Sequence, residues 1–303
     1  SLTLDWDFGE YTLTSITALR EWNEDFDEDV DNRPTDPLLF DQAGTLDQDQ
    51  FTQEVRIASP VDDRFNYVVG AFYFQQEVTR AYERGFLGNT TFTDFTVDTE
   101  NWALFGEATY TINDAWRLIA GGRYTEDDIS YDFERYTTFE PTVVPLEDQT
   151  DESNFSGKLA LQWDFSDAGM AYFSYVQGYK GPGFSLTAAT TELTDRVDPE
   201  TSDAFELGLK STMWDGRLML NVALFMTEYQ DWQSEAYVPG DDGLGTFEAA
   251  NAGEVSTEGL EFDVTAQLTE NLRLFGGLTF VDAKIDEFLT GPCTFGQQYR
   301  GEC

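Results

Sequence analysis

The sequence contains no histidine at all. Without imidazole, this stretch of chain cannot carry a Ser-His-Asp or Cys-His catalytic group, a zinc site with histidine ligands or a histidine ligand for haem. We therefore expect that the protein is not an enzyme and that it holds no resident cofactor.

Basic residues are scarce: 17 Lys and Arg stand against 58 Asp and Glu, which gives a formal net charge of −41. Binding to nucleic acid depends on basic side chains that displace counterions from phosphates, and the sequence has no basic cluster. The composition therefore excludes nucleic acid as a partner.

Long apolar runs are also missing. No run approaches the roughly 18 residues that a membrane-spanning helix needs. Yet 41% of the residues are apolar and 15% are aromatic, which is too many for a disordered chain. If the protein crosses a membrane, it must do so as β-strands, in which only every second residue faces lipid. A soluble all-β protein is the alternative that the composition leaves open.

Only two cysteines are present, Cys293 and Cys303, in a polar segment rich in glycine. A close pair with no other thiol and no histidine nearby favours a disulfide over a metal site, and two free thiols are the alternative. In the chain-entropy model, closing a loop of this size contributes about 3 kcal/mol. The disulfide would imply an oxidising compartment.

Apolar and polar residues alternate with period two along most of the chain, which is typical of β-strands with one apolar face. In the segment 258–268, for example, Leu260 and Phe262 fall on one face, and Glu261 and Asp263 fall on the other. We count twelve such segments. The predicted fold class is all-β, an antiparallel sheet of about twelve strands.

Short turns join the predicted strands in pairs, at Gly9-Glu10, 60–64, 113–115, 166–168, Asp215-Gly216 and Glu270-Asn271. Longer polar segments are predicted as loops, at about 24–49, 85–98, 137–152, 181–199 and 236–253. Short turns at one end and long loops at the other are typical of a bacterial outer-membrane β-barrel. A kelch-type propeller has a similar repeat length, but each of its blades holds four short strands rather than two long ones.

Aromatic residues recur close to the short turns, at similar heights on successive strands: Trp6, Phe8, Trp116, Trp163, Phe165 and Trp214. This placement is typical of the aromatic girdle at a membrane interface. The chain also begins inside a predicted strand, whereas a complete barrel pairs its first strand with its last. We therefore expect residues 1–303 to be a partial barrel domain of a longer polypeptide.

Four groups of short motifs follow one another in the second half of the chain. They are AYFSYVQGYKGPGF at 171–184, DPETS with FELGLK at 198–210, LNVALF with YQDWQ at 220–233, and NAGE with EGLE at 251–261. Together they resemble barrel strands of TonB-dependent receptors, although Pro182 stands where a glycine is more usual. The resemblance is sharpest from about residue 171 to residue 280.

The resemblance implies a transmembrane barrel of roughly 22 strands around a plug domain, in the bacterial outer membrane. The plug and the final strands would lie outside this sequence. The implied partners are membrane lipid, the plug, a small-molecule nutrient and, through a missing amino-terminal part, the TonB–ExbB–ExbD energy-coupling complex. A surface lipoprotein is a further candidate.

The function that the resemblance implies is energy-coupled import of a scarce nutrient. The ligand class stays open among an iron–siderophore, a cobalamin-like compound, a carbohydrate and another organic compound. A passive porin-like channel and a surface adhesion or structural barrel are the alternatives.

Strand parity predicts which charged residues face the lumen and the plug. They are Glu54, Arg56, Glu107, Arg117, Arg123, Lys158, Glu206, Lys210, Glu261, Asp263 and Arg273. Charges are tolerated on the lumen face and costly on the lipid face, so we expect these residues to pair with one another, with water and with the plug.

Aromatic residues in the predicted loops are the candidates for ligand contact: Phe86, Phe92, Tyr136, Phe184, Tyr237, Phe247, Phe295 and Tyr299. Such side chains suit an apolar or sugar-like ligand. The strongly basic loops that anionic ferric chelates would favour are not apparent.

The predicted loop that begins at Glu24 is the most charged stretch, and its aspartates are candidate calcium ligands. Asp25, Asp27, Asp29 and Asp31 would project to one side of an extended chain, and Ca²⁺ prefers oxygen-rich loops. The spacing lacks the glycine and the distant glutamate of an EF-hand. A solvated acidic loop is therefore the favoured interpretation.

Overall fold

The computed structural model describes residues 1–29, 40–61, 64–86, 88–139, 144–184, 196–239, 245–251 and 253–287. These residues contain no helix that is long and apolar enough to cross a membrane. Twelve strands form one large sheet. They are β1 (Leu2–Phe8), β2 (Tyr11–Asp29), β3 (Phe40–Ala58), β4 (Phe65–Phe86), β5 (Asn89–Asn113), β6 (Trp116–Thr137), β7 (Val144–Ser166), β8 (Gly169–Lys180), β11 (Glu200–Met213), β12 (Leu218–Gln230), β15 (Val255–Thr269) and β16 (Leu272–Ile285).

Four short strands form two hairpins that lie outside the large sheet. One pairs β9 (Gly183–Phe184) with β10 (Arg196–Val197), and the other pairs β13 (Gln233–Pro239) with β14 (Gly245–Asn251). Each hairpin sits in a connection between strands of the large sheet, β9–β10 between β8 and β11 and β13–β14 between β12 and β15.

Neighbouring strands of the large sheet are antiparallel and follow the order of the chain, which confirms the predicted architecture. Short turns occur at all six predicted positions and define the turn end of the sheet. At one turn, Asn113 Oδ1 accepts the N–H groups of Ala115 at 2.9 Å and Trp116 at 3.1 Å. At two others, Gly9 and Gly216 have φ values of 68° and 83°, which glycine adopts without steric cost.

The opposite, loop end differs from the prediction, because several predicted loops are strand. β2 continues to Asp29, β3 already begins at Phe40, and β4 and β5 are separated only by residues 87–88. The loops predicted at 24–49, 85–98 and 137–152 are therefore wrong in large part. In these segments both faces of the strand are polar, so the period-two alternation disappears from the sequence although the backbone stays extended.

The register assigns each strand residue to one of two faces, because directly opposite residues in an antiparallel pair share a face. The outer face carries large apolar side chains that no other described residue covers. Leu4, Leu207 and Phe280 on this face are 58%, 54% and 65% exposed. The inner face carries the charged residues that the sequence predicted for a lumen.

The apolar part of the outer face is a belt with aromatic side chains near both edges. Near the turn end, the rings of Trp116 and Trp163 stack with their centroids 5.5 Å apart, which confirms the predicted aromatic row. Toward the loop end, Trp102 and Tyr124 pair at 5.5 Å. Beyond this second edge a carboxylate faces outward on ten strands: Glu21, Asp49, Glu77, Glu100, Glu126, Asp151, Asp203, Glu228, Glu258 and Asp282.

The large sheet divides in two near the middle of β7. Strands β7 and β8 pair from Ser166 opposite Gly169 up to Lys158 opposite Val176, and no further pair joins them among the described residues. Above this point β7 still pairs with β6 as far as Val144. The end of β8 and the β9–β10 hairpin lie instead against the inner face of β6.

Most of the buried side chains of the described residues lie on the inner face of β5, β6 and β7, and others include Val197 on β10, Thr14 and Ser59. Those on β5, β6 and β7 are Ala103, Thr125, Asp127, Ile129, Tyr131, Phe133, Thr150 and Ala160. The rings of Tyr131 and Phe184 are 4.5 Å apart, so Phe184 of β9 lies against these side chains.

Candidate ligand-binding surface

The register places all eleven charged residues predicted for the lumen on the inner face. Glu107 lies opposite Gly121, and Gly121 lies opposite Lys158. Directly opposite residues on successive strands extend this face to Glu206 on β11 and to Glu261 and Asp263 on β15. In the other direction they extend it to Glu54 and Arg56 on β3. Their contact with a plug stays a prediction.

Several of these residues have a polar partner on the inner face. Lys158 Nζ lies 2.7 Å from Glu107 Oε2, and Arg117 Nη1 lies 2.6 Å from Asp164 Oδ2. Glu206 accepts a hydrogen bond from the hydroxyl of Tyr172. The side chains of Lys158 and Glu107 are each 41% exposed, so this ion pair contributes at most about 1 kcal/mol.

The basic residues are concentrated on one face, where carboxylates also occur. From β1 to β12, the basic residues on the described strands of the large sheet all lie on the inner face. They are Arg20, Arg56, Arg80, Arg84, Arg117, Arg123, Arg135, Lys158, Lys180 and Lys210. The chain is strongly acidic overall, yet its positive charge is concentrated where a ligand in the lumen would meet it.

One part of the inner face, toward the loop end, combines arginine with aromatic rings. We call Phe26, Gln42, Arg80, Tyr82 and Arg84 the arginine–aromatic group. The Arg80 guanidinium carbon lies 5.5 Å from the ring centre of Phe26 and 5.0 Å from that of Tyr82. The Tyr82 hydroxyl donates to Gln42 Oε1 at 2.8 Å, and Arg84 Nη2 donates to the same oxygen at 3.3 Å.

The sequence builds this group around a glycine. Gly44 lies opposite Phe26 on one side and Tyr82 on the other, and the two ring centres are 6.0 Å apart. A Cβ atom at residue 44 would lie 3.1 Å from the Phe26 ring and 2.3 Å from the Ala81 carbonyl oxygen. The absence of a side chain at Gly44 therefore lets the two rings and Arg80 come together.

Arg80 keeps one hydrogen-bond donor unused. Its Nε is buried, and among the described residues it has no hydrogen-bond partner. A buried donor without a partner is costly, so such groups in proteins are usually satisfied by a bound molecule or by water. Cationic guanidinium next to two aromatic faces suits a ligand that is anionic or rich in oxygen acceptors and that has flat apolar parts.

The aromatic residues predicted to bind ligand in loops have different positions. Phe92 and Tyr136 lie on β5 and β6, where they stack on the outer face with ring centres 4.8 Å apart. The prediction that they belong to loops is wrong, and a ligand in the lumen does not meet this pair. Phe184 lies on the inner side against Tyr131.

The other loop candidates are only partly located by the structure. Phe86 is the last residue of β4. Tyr237 and Phe247 lie opposite each other in the β13–β14 hairpin. Phe295, Tyr299, Cys293 and Cys303 lie outside the described residues, so ligand contact and the disulfide stay predictions there.

The candidate calcium ligands do not form a loop in the described part of the chain. Asp25, Asp27 and Asp29 lie on β2 and face outward together, and Asp31 lies outside the described residues. Alternate residues of a strand are about 6.6 Å apart, whereas Ca²⁺ needs several oxygens within about 2.5 Å. The described residues contain no group of three or more carboxylate, thiol or imidazole side chains that could hold a metal ion. Calcium binding stays a prediction.

A family model described as TonB dependent receptor-like, beta-barrel, matches residues 1–300 of the chain. The chain belongs to the TonB-dependent receptor family.

Relatives of the chain within the family carry the names of siderophore receptors. The probable TonB-dependent siderophore receptor PiuA of Acinetobacter baumannii is 22% identical over 217 residues, which covers 69% of this chain and 28% of PiuA. The ferric-pyoverdine M114 receptor PbuA of a Pseudomonas strain is 24% identical over 188 residues, 62% of this chain and 22% of PbuA. The chain thus spans about a quarter of the length of these curated relatives.

Solved structures share the fold. The ferric yersiniabactin uptake receptor FyuA from Yersinia pestis superposes with a TM-score of 0.78 at 17% identity, over 95% of this chain and 42% of FyuA. The siderophore receptor PiuA from Acinetobacter baumannii gives 0.72 at 17% identity, over 97% of this chain and 47% of PiuA.

Membership of the TonB-dependent receptor family, a family of receptors rather than enzymes, makes the large sheet part of the wall of a bacterial outer-membrane barrel. The apolar belt on the outer face is then the surface in contact with lipid. The turn end corresponds to the periplasmic side and the loop end to the extracellular side.

The arginine–aromatic group was not predicted from the sequence, because Phe26 and Gln42 fall inside the predicted loop 24–49. The other three residues of the group fall just before the predicted loop 85–98. A signal was present nevertheless. Arg80, Tyr82 and Arg84 alternate with period two, and Arg135 lies on the same face two strands away. Read as strand, these residues would have predicted a basic, aromatic inner surface at the extracellular end.

Proposed function

We propose that this protein takes part in the energy-coupled import of an iron–siderophore across the outer membrane. The observation that carries the proposal is the buried, unpartnered Nε of Arg80 between Phe26 and Tyr82. Ferric siderophores present negatively charged or polar oxygen atoms that accept hydrogen bonds from arginine. The siderophore receptors among the relatives support this ligand class over a cobalamin-like compound or a carbohydrate.

In the proposed import cycle, the arginine–aromatic group contributes to capture at the extracellular end of the lumen. A plug domain in the remainder of the receptor would close the barrel, and the TonB–ExbB–ExbD complex would supply the energy that opens it. A surface lipoprotein is a further candidate partner. The residues described here act in ligand binding, since their positive charge and aromatic faces lie on the inner face above the belt.

Binding by the intact receptor tests the ligand class. We expect Arg80→Gln to weaken binding of a ferric siderophore by about 10- to 100-fold, since a hydrogen bond to a charged group contributes about 1.5–3 kcal/mol. Isothermal titration against ferric siderophores, a cobalamin and an oligosaccharide measures this. Arg20→Gln is the matched control, because Arg20 is exposed and lies over Trp22 on the same face. Equal losses for the two variants would contradict the proposed role of Arg80.

Energy coupling needs a separate measurement in cells. Uptake of the labelled ferric siderophore should stop when the proton gradient is dissipated, while binding at the cell surface continues. Uptake that persists without the gradient would favour the passive channel instead.

A further inference from the structure

The side chain of Asn251, the last residue of β14, joins two separate connections. Its Nδ2 donates to the carbonyl oxygens of Asp198 at 2.9 Å and Asp231 at 2.7 Å, and its Oδ1 accepts the Asp198 N–H at 2.8 Å. Asp198 lies between β10 and β11, and Asp231 follows β12. One amide thus links backbone groups from two extracellular connections.

Gln233 lies directly opposite Asn251 in the β13–β14 hairpin and completes the link. Its Nε2 donates to the carbonyl oxygens of Gly181 at 2.8 Å and Asp198 at 3.0 Å. Its backbone N–H donates to Glu200 Oε2 at 2.8 Å. We call Gln233 and Asn251 the amide node.

The amide node acts where no β-ladder holds the chain. Gly181, Asp198 and Asp231 lie between strands, and Asp231 has a φ of 54°, in the left-handed region that a side chain rarely adopts. Hydrogen bonds from the node satisfy the carbonyl groups of all three residues. The node therefore holds the backbone at these three residues, which strand pairing does not hold.

One of the segments that the node holds is also attached to the inner wall. The Tyr179 hydroxyl donates to Asp127 Oδ2 at 2.8 Å, and Asn101 Nδ2 donates to Asp127 Oδ1 at 2.5 Å. Burial, and then the hydrogen bond to Asp127, raise the pKa of Tyr179, which lies above the belt, so its hydroxyl stays protonated as a donor until strongly alkaline pH. Arg196 pairs with Glu152 of β7. The described residues from β8 to β11, which leave out 185–195, are thus fastened to β6 and β7.

We propose that Gln233 and Asn251 are positioning residues that couple the β13–β14 hairpin to the chain between β8 and β11, so that the two behave as one unit against the inner wall. A ligand that contacts either part is then retained by both. The retention step rests on the proposed function, whereas the coupling itself does not. Contacts of the unit with Asp127 and Tyr131 set its position in the lumen.

Hydrogen exchange in the intact receptor, without ligand, tests the coupling. Asn251→Leu removes three hydrogen bonds from one side chain, and we expect exchange to accelerate about tenfold in both the 196–203 and the 229–235 segments. Asn251→Asp keeps the acceptor for the Asp198 N–H and should give an intermediate rate. Gln267→Leu is the matched control, because Gln267 Nε2 binds the Thr269 carbonyl oxygen at 2.7 Å at the periplasmic end. Acceleration confined to residues next to 251 would overturn the proposal.

Ligand dissociation tests the retention step. With a ferric siderophore that the unchanged receptor binds, we expect Asn251→Leu to raise the dissociation rate about tenfold and Gln267→Leu to leave it unchanged. An unchanged rate despite coupled exchange would overturn retention by the unit. If the unchanged receptor binds no ferric siderophore, the proposed function fails, and the exchange measurement still decides whether the node couples the two segments. Should Asn251→Leu not fold, Asn251→Asp and Gln233→Leu serve the same two measurements.

Discussion

The wall of this barrel has two regions of different height. Strands β2 to β7 contain 19 to 25 residues and form a tall wall. Strands β8, β11, β12, β15 and β16 contain 12 to 15 residues and form a short wall. Crossing the membrane takes about 9–11 residues, so the short wall ends soon after the lipid and the tall wall continues well beyond it.

The two walls reach the extracellular side in different ways. The tall wall extends its ladder, which gives Arg80 and its aromatic neighbours a rigid strand scaffold. The short wall instead sends its connections inward, where side-chain hydrogen bonds such as those of Asn251 replace the ladder. Ligand contacts on the tall wall are therefore positioned by backbone pairing, and those on the short wall depend on a few side chains.

The largest expected effect is the loss of stability when a charge is placed on the outer face of the tall wall, and it tests where the lipid ends. Ala108 and Asp98 lie on the same outer face of β5, Ala108 within the belt and Asp98 above it. We expect Ala108→Arg to destabilise the barrel by about 2–4 kcal/mol, because a charge near the bilayer midplane loses its hydration. Asp98→Arg should change stability little, since Glu77 lies opposite. Denaturant unfolding in phospholipid vesicles measures both, and equal effects would show that the belt boundary is misplaced.

The intermediate expected effect is a loss of stability that distinguishes a glycine of the tall wall from a glycine of the short wall. Gly44→Val places a side chain against the Ala81 carbonyl oxygen and the Phe26 ring, and we expect a loss of about 1–3 kcal/mol together with weaker ligand binding. Gly276→Val on β16 of the short wall is the control, because nothing lies within 4 Å of a Cβ there. Unfolding and titration of the two variants measure the difference. A neutral Gly44→Val would mean that the tall wall does not need this close approach.

The smallest expected effect is the loss of stability when an ion pair is removed from the inner face, at the level where pairing between β7 and β8 ends. Lys158→Gln removes the ion pair with Glu107, and we expect a loss of at most about 1 kcal/mol, because both side chains are 41% exposed. The loss should shrink further in 0.5 M salt, because dissolved ions screen the charges of a pair that is this exposed. A loss that salt does not change would point to packing of the lysine stem rather than to charge.

Period-two alternation was enough to predict the strands, the turns and the two faces of the belt. Residues such as Leu260 and Glu261 alternate because one side of the strand meets lipid and the other meets water. Charged residues from Glu54 to Arg273 could be placed on one face for the same reason. These features depend only on the local pattern along each strand.

The upper part of the tall wall could not be predicted in this way, because above the membrane water meets both faces and the alternation is lost. Asp25 and Asp27 therefore suggested a loop although they lie on β2. The amide node was hidden for another reason. Asn251 and Gln233 occur in recognisable motifs, but their partners Asp198 and Gly181 are distant in sequence, and only the fold brings them together.

The end of pairing between β7 and β8 has a mechanical consequence. Up to Lys158 and Val176 the ladder of the described sheet is continuous, so any displacement there is shared by every strand. Above it, among the described residues, no backbone–backbone hydrogen bond crosses from the tall wall to the short wall, although the Gly157 N–H donates to Gln177 Oε1 at 3.2 Å. Above this level, side-chain contacts such as Tyr179 with Asp127 and Arg196 with Glu152 therefore join the two rims in place of strand pairing.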